Sequence, residues 1–105
     1  MPAQSFPLGD KYKLQFDVNA VCEAEEVFKE PLEDVLNDVK KMKQARIIRV
    51  LLWAALQEHH PELSLRDTGK IIGEMGAEPI EKAIIGSLHA AYPDRVNADG
   101  SPKKK

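Results

Sequence analysis

Lys43–Pro61, KQARIIRVLLWAALQEHHP, is the longest uninterrupted apolar helical pattern in the chain. At 100° per residue, Ile48, Leu51, Leu52, Ala55 and His59 fall on one face, while Ile47, Val50 and Ala54 lie on the far side. A helix that is apolar on nearly all sides is expected at the centre of a fold, with other elements around it. Only a narrow arc of Arg46, Arg49 and Gln57, with Trp53 among them, is polar enough to meet water unaided. Trp53 therefore sits off the main stripe, and two readings are open. A second layer of the fold covers the indole, or Trp53 forms a partner-binding patch with Arg46 and Arg49, since Trp and Arg are the residues that most often anchor interfaces.

Working outward, the amino-terminal side reads as a hairpin followed by two helices. Tyr12, Leu14 and Phe16 alternate with Lys13, Gln15 and Asp17, and Gly9-Asp10 can supply a two-residue turn after a first strand over Ser5–Leu8. Pro7 cannot donate to a ladder, which makes that strand short and places it at an edge. A lone hairpin is barely stable in water, so its apolar face must lie on the helices or against another chain. Its open edge also offers a strand of a partner, or of a second copy of this chain, a place to pair. Phe6, Tyr12 and this edge are accordingly a second candidate patch. Asn19 can cap a first helix reaching about Lys29, with Val21, Ala24, Val27 and Phe28 inward and Glu23, Glu25 and Glu26 outward. Pro31 opens a second, short helix with Leu32, Val35, Leu36 and Val39 inward and Lys40-Lys41 at its carboxyl end.

On the far side of the central stretch, His59-His60-Pro61 ends the third helix. Ser64 starts a fourth with SLRD, a relative of the capping box, whose buried face is Leu65, Thr68, Ile71, Ile72 and Met75. Gly76 is a left-handed stop, Pro79 fits the first turn of a fifth helix, and Ile80, Ile84, Leu88 and Ala91 form its stripe, with Ile85 and Tyr92 beside it and Pro93 closing it. The expected architecture is mainly α (α+β): a compact bundle of about five helices with a short N-terminal β-hairpin at about residues 5–17. It forms one domain over residues 1–96, followed by a disordered basic tail over 97–105, NADGSPKKK, which has too little apolar surface to offset the entropy of ordering it.

With 105 residues the chain is long enough for one self-sufficient core. A single cysteine, Cys22, excludes an internal disulfide, fits a reducing compartment such as the cytoplasm, and reads as a small packing residue. The start, MPAQSFPLGDKYK, lacks a basic region followed by an apolar run, so neither a signal segment nor a membrane span is expected. The net charge of −2 gives no global attraction to nucleic acid or to an anionic membrane. Locally the charge is segregated: Asp17 to Asp38 holds eight acids and one lysine, whereas Lys40 to Arg49 holds five bases and no acid. The basic stretch either pairs with the acidic one or faces an acidic partner.

Catalytic signatures are missing from the sequence: there is no Gly-rich phosphate loop, GxSxG, HExxH, EF-hand loop or cysteine set. Glu58-His59-His60 points three ways around a helix and does not converge on one ion. The acids Glu23, Glu25, Glu26 and Glu30 read as a solvated helix face, and His89 as a surface residue beside Lys82. No cofactor, metal site or enzymatic activity is expected. A helix-turn-helix built from the third and fourth helices is the alternative, which would make the chain a small helical DNA-binding regulator. Against it, Arg66 and Lys70 are interleaved with Asp67 and Glu74, and the run Lys40-Lys41-Met42-Lys43 lacks an aromatic neighbour for stacking.

The strand running into a capped helix, KLQFDVNAVCEAEEVF, then RVLLWAALQEHHPELSLRDTGKII, and the closing helix up to Ala91-Tyr92-Pro93 together resemble the phage tail assembly chaperones of the gene-transfer-agent type over about residues 11–93. The tryptophan helix followed by His-Pro-Glu-Leu-Ser-Leu carries most of the likeness. The resemblance implies a non-enzymatic role in building a phage or prophage tail in the host cytoplasm. Such chaperones coat the long helical tape measure protein, bring major tail tube subunits to it, and leave before the particle is finished. It implies no catalytic or binding position, so Trp53, Arg46 and Arg49, with Phe6 and Tyr12 second, rest on residue chemistry alone.

Overall fold

The computed structural model describes residues 5–92. The expected tail over 97–105 and the closing role of Pro93 lie outside the described residues. The elements are β1 (Phe6–Leu8), β2 (Tyr12–Leu14), α1 (Val18–Phe28), α2 (Leu32–Asn37), α3 (Val39–Met42), α4 (Ala45–Leu56), α5 (Leu65–Met75) and α6 (Ala77–Ala91). The described residues form a compact, mainly helical bundle of six helices with a short antiparallel hairpin at its amino-terminal end. None of these helices is long and apolar enough to cross a membrane.

The central stretch occupies the place its composition demands. Eight of the twelve residues of α4 are buried, from Ile47 to Leu56 and on both expected faces. The helix packs against α1, α5, α6, α3 and β2, so every apolar side has a neighbour to cover it. The helix is shorter than the pattern suggested. It begins at Ala45, and after Leu56 the chain turns, with the His60 N–H donating to the Leu56 carbonyl at 2.7 Å. The Gln57 side-chain amide donates to the carbonyls of Trp53 and Leu63 at 3.3 and 3.1 Å, which binds the turn to the helix end.

The hairpin pairs Phe6 with Leu14, Pro7 with Lys13 and Leu8 with Tyr12. Cross-strand partners share a face, so Phe6, Leu8, Tyr12 and Leu14 look inward while Pro7 and Lys13 look out. The turn is one residue longer than expected, spanning Gly9 to Lys11, with Gly9 at φ 63°. β2 ends at Leu14 because the next amide is used elsewhere. The Gln15 N–H donates to the Ala55 carbonyl of α4 at 2.8 Å, and the Lys13 N–H donates to His60 Nε2 at 3.1 Å. These bonds engage the outer edge of β2.

Three local expectations are corrected. The cap of α1 is Asp17 and not Asn19: an Asp17 carboxylate oxygen accepts from the Ala20 N–H at 2.9 Å, starting the helix two residues earlier. On this helix Val27, expected inward, is exposed and Ala20 is buried, while Glu23 and Glu25, expected outward, are half-buried. The single helix expected after Pro31 is two. Asp38 adopts ψ 100°, which ends α2, and its carboxylate caps α3 by accepting from the N–H groups of Lys40 and Lys41 at 3.0 and 3.2 Å. Cys22, expected as packing, is exposed.

The carboxyl-terminal half follows its pattern in part: Thr68 and Ile71 of the expected α5 face are buried but Leu65, Ile72 and Met75 are half-buried, and Gly76 takes a positive φ without the left-handed helical ψ. Ser64 and Asp67 form a reciprocal capping box at the start of α5, and the Thr68 hydroxyl, fully buried, donates to the Ser64 carbonyl at 2.8 Å. Ile80, Ile84 and Leu88 of α6 are buried as expected, with Ala83 and Ser87 beside them. Gly76, at φ 89° and ψ 154°, separates α5 from α6.

Candidate functional site

Arg46 and Arg49 are both exposed on α4 and both line one cleft of about 240 Å³. Ile47 and Val50 of α4, Phe28 at the end of α1 and Leu65 at the start of α5 give it apolar walls, with Val27 alongside. Val27 is 44% exposed and is one of two large apolar side chains that stand so far into solvent among the described residues. Lys41 and Glu30 complete the lining and hold each other, with Lys41 Nζ donating to both Glu30 oxygens, one of them at 2.7 Å. The cleft therefore has three bases, one acid and an apolar interior.

Each base is placed by the backbone beneath it. Three residues along α4 set Arg46 and Arg49 on neighbouring positions of one face. The aliphatic stem of Arg49 lies over α5 at Gly69, where a methyl group would stand 3.5 Å from Arg49 Cδ. The Arg46 guanidinium is braced by its Nε, which donates to Gln44 Oε1 at 2.9 Å. Lys41 reaches the acidic half of the chain through Glu30, whereas Arg46 and Arg49 form no ion pair among the described residues. Among the described residues, the pairing of acidic and basic segments suggested by the sequence is made by one lysine, Lys41 with Glu30, and neither arginine takes part in it.

Trp53 lies one turn beyond Arg49, half-buried and packed against the core, and does not line this cleft. Phe6 and Tyr12 sit on the inner face of the hairpin. Phe6 is half-buried against α6 at Gly86, and Tyr12 meets His60 edge-on, with ring centroids 5.4 Å apart. Of the five residues singled out from sequence, the fold brings Arg46 and Arg49 into one cleft and gives the three aromatic residues other surroundings.

Sequence reasoning missed a second recess, of about 320 Å³, walled by α1, α2 and the end of α6. Val18, Val21, Pro31, Leu32, Leu36, Leu88 and Tyr92 line it, with Glu25 and Glu33 as its charged residues. The signal available was Val18, a large apolar residue immediately after the Asp17 cap. A third, strongly polar recess of about 390 Å³ carries Asp17, Glu23, Glu26 and Glu58. Among the described residues no group of three or more His, Cys, Asp or Glu side chains is arranged to hold a metal ion. His59, imagined in such a cluster, instead meets Gln15 Oε1 at 2.9 Å, and with His60 it fastens the end of α4 to β2.

No family model, curated protein or solved structure matches the chain.

Proposed function

We propose that this protein is a non-enzymatic tail assembly chaperone of a phage or prophage, holding a helical segment of the tape measure protein and helping to recruit tail tube subunits in the host cytoplasm. The observation that supports the reading is the cleft at Arg46 and Arg49. An apolar interior beside two arginines with no ion-pair partner among the described residues suits the apolar face of an amphipathic helix whose flanks carry Asp or Glu. Arginine on such a rim steers an acidic client and fixes its register. The likeness of the tryptophan helix and of the segment after it to tail assembly chaperones supplies the identity of the client.

Co-expression with the tape measure protein encoded nearby tests the proposal. The wild-type chain is expected to yield a soluble complex. The double variant Arg46→Glu, Arg49→Glu, in which both exposed side chains change sign, is expected to weaken it at least tenfold, or ~1.4 kcal/mol, while melting at the same temperature. Absence of a complex at every stoichiometry and salt concentration would contradict the proposal. Retention on duplex DNA that falls steeply with added salt would instead support a regulator.

A further inference from the structure

We infer that the recess between α1, α2 and α6 is a second docking site, separate from the arginine cleft, that takes one turn of an apolar helix flanked by lysine or arginine. Val18 is 71% exposed although it stands beside Val21, Leu32 and Leu36 at the mouth of this recess. A single exposed valine is ordinary, but one continuous with an apolar recess of about 320 Å³ extends a surface that an aliphatic side chain can fill. The recess has space for one or two anchoring side chains, and its walls come from helices with no strand among the described residues that line it, which favours a helix over an extended segment.

Charge decides the flanks. Among the described residues, the charged ones lining the recess are Glu25 and Glu33, and no base joins them. Glu25 is already oriented, because its Oε2 accepts the Leu32 N–H at 2.7 Å, so a cation meets a carboxylate fixed before binding. Glu33 is exposed at the start of α2. The arginine cleft has the opposite preference. Val18 and Val27, one at each site, are nine residues apart on α1 and so half a turn apart around it. The two surfaces therefore flank one helix and can be filled together, giving the protein two grips of opposite charge.

Two labelled synthetic peptides test this on the full chain. Both carry the same leucines at i, i+3, i+4 and i+7, one flanked by lysines and the other by glutamates. The lysine-flanked peptide is expected to shift the amide resonances of Val18, Val21, Glu33 and Leu36. Glu33→Lys should weaken it at least tenfold, Glu33→Gln by less, and Arg46→Gln with Arg49→Gln, which removes the cleft's charge without reversing it, should leave it unchanged. The glutamate-flanked peptide reports on the arginine cleft alone, so its failure to bind bears on the proposed function and not on this site. Equal binding of both peptides, insensitivity to Glu33→Lys, or shifts that fall on residues 93–105 because the chain's own end fills the recess would each overturn the inference. So would self-association through this face, read as resonance changes that grow with protein concentration.

Discussion

The ring of Phe6 occupies the space that a side chain at Gly86 would need. A methyl group there would fall within 2.7 Å of Cε2 and 3.0 Å of Cε1, well inside van der Waals contact. Gly86→Ala must therefore push the aromatic ring away and loosen β1 from α6, a form of overpacking expected to cost about 1–3 kcal/mol. Gly73, on the exposed side of α5, has nothing within 4 Å of the same methyl. There Gly73→Ala gains helix propensity without a clash and should add about 0.5–1 kcal/mol. Urea denaturation of the two variants should move the midpoint in opposite directions, and a stabilising Gly86→Ala would contradict the packing of Phe6. The sequence could not distinguish these glycines, because both stand inside helical patterns and only the hairpin's return onto α6 makes one of them crowded. The same limit explains the cap of α1. Asp17 and Asn19 are both good caps, and the choice falls to Asp17 because Phe16 is fully buried and the Gln15 amide is held by α4, which fixes where the strand must turn.

Among the helices, α5 was the most legible, because its start is encoded locally. Ser64 Oγ accepts the Asp67 N–H at 3.0 Å and an Asp67 oxygen accepts the Ser64 N–H at 3.1 Å, independently of the rest of the fold. The Ser64 backbone N–H, followed by its hydroxyl and more weakly by Lys70, holds the Asp67 carboxyl below the usual carboxylate range. A carboxyl with a lowered folded-state pKa stabilises the fold above its unfolded value and loses that contribution as pH falls through the folded one. Thermal unfolding followed down through the acid range should therefore show wild type losing stability faster than Asp67→Asn, with the gap between them closing at the acid end. Parallel curves would contradict the capping box. The break at Asp38 was not legible in the same way. The spacing of Leu32, Val35, Leu36 and Val39 fits one continuous helix, and the interruption comes from Asp38 capping the next turn, where Lys41 then meets Glu30.

Across the molecule, Lys43–Pro61 is legible as the centre because burial on nearly all sides demands an apolar composition with few alternatives. Α-helix α4 has neighbours on five sides, and its exposed residues are those that the pattern left polar, Arg46 and Arg49, with Ala45 at its start. What lay beyond the sequence was the setting of each candidate residue. Trp53 and Arg49 are one turn apart, yet the cleft forms where the end of α1 and the start of α5 approach α4, which is a matter of tertiary placement. The acidic recess around Glu23 and the apolar one around Val18 arise in the same way, from where α1 is laid against its neighbours. Segregated charge in the chain thus becomes opposite charge on two sides of one helix.

The proposed function requires Arg46 and Arg49 to receive an acidic, amphipathic client. Amide chemical-shift mapping of the full chain during titration with a soluble helical fragment of the tape measure protein tests this most directly. Shifts are expected on Val27, Phe28, Arg46, Arg49, Val50 and Leu65, abolished by Arg46→Glu with Arg49→Glu; a saturating titration whose shifts leave those residues unmoved would contradict the proposal.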